Sequence, residues 1–189
     1  MELSKEYLEE QRDCIVRNNL GYIHNLKDPF TLERLNTIKN FCNCAKTILS
    51  VGSGGYEPYY IGATHAVDVH CIAETILREH GWKGVFSVGS CTDIPYGPHE
   101  FEVAYCTEVI EHLPTLQDVE KTFRELARVS SLWIVTTPVR DVHEPTHKRI
   151  FTEQMLEEIL LPLFPVQNIM IERHGLFFYI HNGERKIFN

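Results

Sequence analysis

Short runs of apolar residues alternate along this chain with longer segments in which apolar residues recur every three or four positions. In the segment 30–43, for example, Leu35, Ile38 and Cys42 fall on one side of a helix. The predicted strands are 47–51, 66–69, 85–88, 101–106 and 132–137, and the predicted helices among and after them are 71–80, 116–129 and 153–163. This alternation predicts an α/β fold: a doubly wound, Rossmann-like, mostly parallel sheet with helices on both faces.

The pattern changes toward the C-terminal end, where apolar runs follow one another with no helix between them. The runs are 166–171, 176–181 and 185–188, and Asn182-Gly183 stands between the last two. Asn-Gly is a strong signal for a two-residue hairpin turn. The sequence therefore predicts that the sheet ends in a C-terminal antiparallel hairpin that turns at Asn182-Gly183.

Two helical segments, 3–18 and 30–43, precede the first predicted strand. A chain of 189 residues has the length of one domain. We therefore expect a single domain over residues 1–189, with residues 1–45 as an N-terminal helical cap and residues 46–189 as the cofactor-binding core. The cap and the loop 139–150 are expected to form a lid, in which Tyr7, Tyr22 and His24 either touch ligand or simply pack.

Composition narrows the classes of partner. The formal net charge of −8 argues against a broad nucleic-acid surface, which needs clustered Lys and Arg. The N-terminus has neither a basic nor an apolar signal segment, and no apolar stretch is long enough to span a membrane, so we expect a soluble cytoplasmic protein. The six cysteines form no Cys-x-x-Cys pair and are expected to be reduced thiols. The expected partner is a small-molecule substrate, and the expected oligomeric state is a monomer or homodimer.

A glycine-rich loop follows the first predicted strand. Gly52, Ser53 and Gly54 stand where the chain leaves this strand, and glycine there allows a tight turn and a close approach of ligand to backbone amides. Asp68 ends the next strand, where a carboxylate can accept hydrogen bonds from both ribose hydroxyls of a nucleoside cofactor. A structural turn at the glycines and a helix N-cap at Asp68 are the alternatives. The loop does not complete the Gly-x-Gly-x-x-Gly pattern of dinucleotide enzymes.

From about residue 47 to residue 160 these motifs resemble the class I S-adenosylmethionine-dependent methyltransferase family. Gly52-Ser53-Gly54 is similar to the family's first motif, residues 89–96 to its adenine-side loop, and residues 108–113 to the motif after the fourth strand. The resemblance implies S-adenosylmethionine as cofactor. The residues it implies for cofactor binding are Gly52, Ser53, Gly54, Asp68, Val69, Ser90, Cys91 and Thr107.

Three positions depart from the usual family pattern. The family has an acid where Ser50 stands, a glycine where Tyr56 stands and an aspartate where Ser90 stands. In addition, only 14 residues separate Gly54 from Asp68, so the first crossover helix is predicted to be about one turn around Tyr59-Tyr60-Ile61.

Glu108, Glu111 and His112 follow the fourth predicted strand at positions i, i+3 and i+4, and would share one face of a helical turn. In one interpretation, similar to small-molecule O-methyltransferases, His112 is the catalytic base, with a pKa near its reference value of about 6.5, and Glu111 orients it. In the other, similar to small-RNA 3′-terminal 2′-O-methyltransferases, Glu108, Glu111, His112 and a later histidine hold a divalent metal. That histidine is His147 or His143, and the donors suit Mn, Mg or Co.

The expected function is therefore methyl transfer from S-adenosylmethionine to a small or terminal acceptor, with a hydroxyl oxygen as the expected acceptor atom. Two alternatives remain open. One is a metal-dependent RNA 3′-end 2′-O-methyltransferase. The other is a non-catalytic, methyltransferase-like binding module that binds a partner through the glycine loop, which departs from the usual family pattern.

Overall fold

The structure, a computed structural model, describes residues 4–20, 28–140, 144–184 and 186–188. Tyr22, His24 and His143, which the sequence raised as ligand contacts, lie outside these ranges. In chain order the elements are α1 (Lys5–Leu20), α2 (Pro29–Phe41), β1 (Ile48–Val51), α3 (Glu57–Ile61), β2 (His65–Asp68), α4 (Ile72–Glu79), β3 (Val85–Val88), β4 (Phe101–Thr107), α5 (Leu116–Val129), β5 (Ser130–Pro138), α6 (Glu153–Leu160), β6 (Met170–His174) and β7 (Phe177–His181). Short 3₁₀ helices are formed by Ile110–His112 and Val166–Asn168.

The seven strands form one sheet in the order β3-β2-β1-β4-β5-β7-β6. β1 to β5 run parallel to one another, whereas β7 runs antiparallel to both β5 and β6. The prediction of a doubly wound, mostly parallel sheet with a C-terminal antiparallel hairpin is confirmed. The carboxyl ends of β1, β2 and β4 meet at one edge, which is where such sheets bind ligands.

Local signals set the helix boundaries. Asp28 caps α2 by accepting a hydrogen bond from the Thr31 N–H at 2.8 Å, and Pro29 occupies the first helical turn. Thr115 and Thr152 cap α5 and α6 in the same way. The crossover from β1 to β2 is indeed short, since α3 has five residues and ends at Gly62 in the left-handed conformation.

The two faces of the sheet bury different residues. Along β4, Ala104 and Cys106 face the core under α5 and α6, with Phe123 and Trp133. Val103 and Tyr105 face the opposite core, under α2. This alternation follows from the two-residue period of a strand. Helix α2 therefore covers one face of the sheet.

The turn of the C-terminal hairpin is not where the sequence predicted it. β6 and β7 are joined by Gly175, at a φ of 57°, and Leu176, so the Asn182-Gly183 prediction is wrong. Asn182 instead follows directly after β7 and lies beside β5, where its side-chain oxygen accepts a hydrogen bond from the Trp133 N–H at 2.7 Å.

The two ends of the predicted C-terminal strands also differ from expectation. Residues 166–168 form a 3₁₀ helix instead of the start of a strand, and the described residues 186–188 form no strand. The N–H groups of Ile187 and Phe188 donate to the carboxylate of Glu172 at 2.6 and 3.2 Å. A side chain on β6 thus takes the hydrogen bonds that a further strand would have used.

None of the described helices is both long and apolar enough to cross a lipid bilayer. The six cysteines all lie in the described ranges and form no disulfide.

Candidate active site

A cavity of about 1210 Å³ opens at the carboxyl ends of β1, β2 and β4. Most of the residues predicted to bind cofactor line it, and Ser53 is the exception. Those that line it are Gly52, Gly54, Asp68, Val69, Ser90, Cys91 and Thr107. Ser53 is buried behind the loop, where its hydroxyl hydrogen bonds to the Ser50 carbonyl at 3.1 Å and the Ser50 hydroxyl at 2.9 Å. Ser50, which stands at the family's acidic position at the end of β1, is therefore hydrogen-bonded to Ser53.

The glycine loop is shaped by backbone conformation as well as by space. Gly52 has a φ of 75°, and its N–H donates to the Val67 carbonyl at 2.9 Å. A Cβ at Gly52 would lie 2.3 Å from Cγ2 of Val109, whereas a Cβ at Gly55 would meet no atom of the described residues within 4 Å. Only the first of these two glycines is required by both conformation and packing.

We expect Gly52→Ala to lower the free energy of unfolding by about 1–3 kcal/mol, because alanine is strained at positive φ and displaces Val109. The matched control is Gly55→Ala in the same loop, which should change stability by less than about 0.5 kcal/mol. Urea denaturation of the two proteins measures the difference. Equal stabilities would contradict this account of the loop.

Asp68 is almost completely buried at the end of β2 and accepts a hydrogen bond from the His70 N–H at 3.0 Å. It does not cap α4, whose N-cap is Cys71. Burial raises the pKa of Asp68 to about 7, although the N–H groups of His70 and Val69 oppose the shift. The carboxylate faces the cavity in a setting where its charge gains from further donors.

Helix α1 and the loop after β3 close two further sides of the cavity. Tyr7 and Gln11 of α1 line it, and Ile15 lies against the glycine loop, 3.1 Å from where a Cβ of Gly54 would be. On the other side, Cys91 is buried and accepts from the Thr122 hydroxyl at 3.4 Å. Burial raises the pKa of the Cys91 thiol to about 11, so this cysteine is a neutral wall residue.

A buried charge network lies beyond Thr107, and no sequence motif pointed to it. Arg34 of α2 donates to Glu57 at 2.7 Å, and the Thr107 hydroxyl donates to the same carboxylate. Burial lowers the pKa of Arg34, but the charges of Glu57 and Glu108 outweigh it and leave the pKa raised. Glu57 directly follows the glycine loop, which was the one available signal. Arg34 is distant in sequence from both of its partners.

Glu108 belongs to this network. Its φ is 55°, its carboxylate accepts from the Thr136 hydroxyl at 3.0 Å, and it lies 3.9 Å from Arg34. The 3₁₀ helix begins only at Ile110. The prediction that Glu108 shares a helical face with Glu111 and His112 is therefore wrong, because the left-handed turn at Glu108 directs it elsewhere.

Glu111, His112 and His147 do come together. One potential ligand atom from each lies within 4.8 Å of the others, and Glu111 Oε1 is 4.0 Å from His147 Nε2. Glu111 is fully buried, and its other oxygen accepts from the Thr137 hydroxyl at 3.1 Å. Glu111 Oε1 and His112 Nδ1 are buried and have no hydrogen-bond partner among the residues that the structure describes. We call these three residues the Glu-His-His cluster.

His112 differs electrostatically from expectation. Burial, together with the neighbouring His147, lowers its pKa to about 4, so the ring is neutral at physiological pH instead of half-protonated. A neutral imidazole has a lone pair for a proton or a metal ion. The cluster therefore offers one carboxylate and two imidazoles to a ligand.

Residues 49–131 match the model of a family described as a methyltransferase domain. That segment contains the glycine loop, Asp68, the loop after β3 and two members of the Glu-His-His cluster. His147 lies outside it.

Solved structures show the same architecture at low sequence identity. A structure described as a DhpI-SAM-HEP complex is 13% identical over 95% of this chain and 99% of its own, with a TM-score of 0.66. A Thermotoga maritima S-adenosylmethionine-dependent methyltransferase, described as a possible histamine N-methyltransferase, is 14% identical over 82% and 89%, with a TM-score of 0.64. An Aquifex aeolicus methyltransferase dependent on the same cofactor is 18% identical over 86% and 98%, with a TM-score of 0.60.

The fold is thus the Rossmann-like fold of S-adenosylmethionine-dependent methyltransferases, and the resemblance to the class I family is confirmed in the fold and, over residues 49–131, in the match to a methyltransferase domain. The family match is to a methyltransferase domain, and the solved structures share its fold. Neither alternative, the RNA-end enzyme or the non-catalytic module, is supported by these comparisons.

Proposed function

We propose that this protein transfers a methyl group from S-adenosylmethionine to an oxygen of a small acceptor bound in the same cavity. The observation that carries the proposal is the continuity of the cavity, which extends from Asp68 and the glycine loop to His112 and His147. Its volume exceeds the usual range of roughly 300–1000 Å³ for a single ligand. A cofactor and a small acceptor therefore fit side by side.

The residues present fit the cofactor. Gly52 and Gly54 line the cavity without side chains, so a ligand can approach the backbone of the loop closely, and Asp68 has the position and charge to accept from ribose hydroxyls. Val69, Ser90, Cys91 and Thr107 also line the cavity, and Ser90 and Cys91 belong to the loop that we propose lies beside adenine. The bound cofactor supplies a methyl group made electrophilic by its sulfonium. The protein aligns the acceptor oxygen with that methyl and excludes water.

We further propose that the Glu-His-His cluster holds a divalent cation. The buried, unpartnered Glu111 Oε1 and His112 Nδ1 support this, because such atoms are costly unless a ligand satisfies them. One carboxylate and two imidazoles suit Mn, Fe, Co or Zn. A cation there would lower the pKa of an acceptor hydroxyl and orient it. Without a cation, His112 is the base that takes the hydroxyl proton, and Glu111 orients it.

The charge of the cavity favours a small acceptor over RNA. Its lining carries seven carboxylates, Asp28, Glu57, Asp68, Asp93, Glu108, Asp118 and Glu144, against three cationic side chains, Lys5, Arg34 and Lys121. A polyanion would be repelled by this excess. A neutral or weakly charged acceptor with a hydroxyl group is compatible with it.

Incubation with methyl-labelled cofactor and fractionated cell extract tests the proposal. We expect label in the small-molecule fraction, abolished when a chelator removes divalent metal and restored when Mn²⁺ is added back. Extract without the protein is the control. Label in RNA would overturn the acceptor class, label unaffected by chelator would overturn the cation, and no cofactor binding by calorimetry would overturn the activity itself.

A further inference from the structure

Helix α1 is fastened to the segment that carries His147. Lys148 is paired with Glu10 of α1 at 2.8 Å from both carboxylate oxygens, and Arg17 of α1 is paired with Glu144 at 3.0 Å. Between these two pairs the Thr146 hydroxyl lies 3.6 Å from the sulfur of Cys14. We call these three contacts the α1 clasp.

The same segment is held on its other side by the Glu-His-His cluster. The Lys148 N–H donates to the Glu111 carbonyl at 2.8 Å, and the ring centroids of His147 and His112 are 4.7 Å apart. His147 is the one member of the cluster that does not belong to the 3₁₀ helix after β4. Its position therefore depends on what fastens residues 144–148 over that helix.

Helix α1 is also a wall of the cofactor end of the cavity. Tyr7 and Gln11 line the cavity, and Ile15 lies against Gly54. The α1 residues of the clasp alternate along the helix with these wall residues. A ligand that settles against α1 thus contacts the element that fastens His147.

We infer that α1 is a positioning element that couples the cofactor end of the cavity to the Glu-His-His cluster. The inference rests on the proposed function: a ligand beneath α1 stabilises the clasped arrangement, and the clasp holds His147 beside Glu111 and His112. Glu10, Arg17 and Lys148 do not line the cavity and act through His147, whereas Glu144 is also part of the cavity lining. Since coupling between two sites is reciprocal, cofactor should strengthen cation binding by the factor by which the cation strengthens cofactor binding.

The test compares two double variants of α1. Glu10→Gln with Arg17→Gln removes both ion pairs of the clasp. Glu9→Gln with Arg12→Gln removes one acidic and one basic side chain from exposed positions of the same helix, and is the matched control. A charge exchange, Glu10→Lys with Lys148→Glu, rebuilds one pair in reverse and serves as the rescue.

The first measurement is hydrogen exchange of the backbone amides of residues 144–148, which needs no bound metal. We expect faster exchange in the clasp variant than in the wild type and the control, and exchange near the wild-type rate in the rescue. Addition of S-adenosylhomocysteine should slow exchange in the wild type and the control but hardly in the clasp variant. Equal exchange in all four proteins would overturn the inference.

The second measurement is Mn²⁺ binding by calorimetry, with and without S-adenosylhomocysteine. We expect the clasp variant to bind Mn²⁺ about three- to tenfold more weakly than the control, the range that two half-exposed ion pairs supply. Absence of Mn²⁺ binding by the wild type would refute the cation proposal, while the exchange result would still decide the clasp. Mn²⁺ binding that is identical in both variants would overturn the coupling.

Discussion

We expect the Asp68→Asn protein to lose tight binding of S-adenosylmethionine and, in the ligand-free state at pH 8, to be more stable than the wild type. Hydrogen bonds to a charged acceptor contribute roughly 1.5–3 kcal/mol each, so losing the charge beneath two ribose hydroxyls should weaken binding by about 100-fold or more. Asparagine keeps an oxygen for the His70 N–H. Calorimetric titration with the cofactor measures the first effect.

The stability gain has a defined dependence on pH. The pKa of Asp68 is about 7 in the folded protein against an ordinary value of 3.8, so its ionisation opposes folding. Its contribution to stability is fully retained below pH 3.8 and is lost as pH rises through about 7. The Asp68→Asn protein has no such loss, so its advantage should reach about 1–4 kcal/mol at pH 8 and vanish near pH 4.

Asp93→Asn is the matched control for Asp68→Asn. Asp93 also lines the cavity, but it is exposed, so its neutral replacement removes the same charge without relieving a buried one. It should change cofactor affinity by less than about threefold and leave the pH dependence of the melting temperature as in the wild type. Identical behaviour of the two variants would mean that only the net charge of the cavity matters.

Glu111→Gln should lower Mn²⁺ affinity by at least about 100-fold, because removing a supporting residue of a metal site costs about 10- to 100-fold and Glu111 is proposed as a direct ligand. Methyl transfer at limiting Mn²⁺ should fall in parallel, whereas binding of S-adenosylhomocysteine should stay within about threefold of wild type. Glutamine has nearly the same shape and retains an oxygen for the Thr137 hydroxyl.

Glu108→Gln is the control for Glu111→Gln, since it removes the same charge three residues away. Glu108 bonds to Thr136 and lies near Arg34, not in the Glu-His-His cluster. We therefore expect its Mn²⁺ affinity to change by less than about fivefold. Equal losses in the two variants would restore Glu108 as a ligand, and chelator-insensitive turnover of Glu111→Gln would remove the cation from the mechanism.

The sheet could be predicted because its parallel strands are largely buried on both faces and so read as short apolar runs. β1 is an example, since all four of its residues from Ile48 to Val51 are buried. The C-terminal turn could not be predicted in the same way, because Asn182-Gly183 has the composition of a hairpin turn. In the folded chain the side chain of Asn182 instead accepts a hydrogen bond from the N–H of Trp133, a residue that is distant along the chain.

The candidate site could likewise be predicted only in part. The sequence brought Asp68 and the glycine loop together because parallel strands place their carboxyl ends at one edge. It also named Glu111, His112 and His147 as possible partners. It failed at Glu108, where one left-handed residue redirects a side chain, and at Arg34, whose partners Glu57 and Glu108 are joined to it only by the folded chain.

The position of α2 has a consequence for how this chain can be divided. The recognisable motifs begin near residue 49, but Leu35 and Ile38 of α2 are the apolar counterparts of Val103 and Tyr105 on the sheet. A fragment that began near residue 49 would keep these motifs but would expose a broad apolar surface of the sheet to water. The smallest fragment that can fold on its own must therefore include α2, although this helix carries none of the family's sequence motifs.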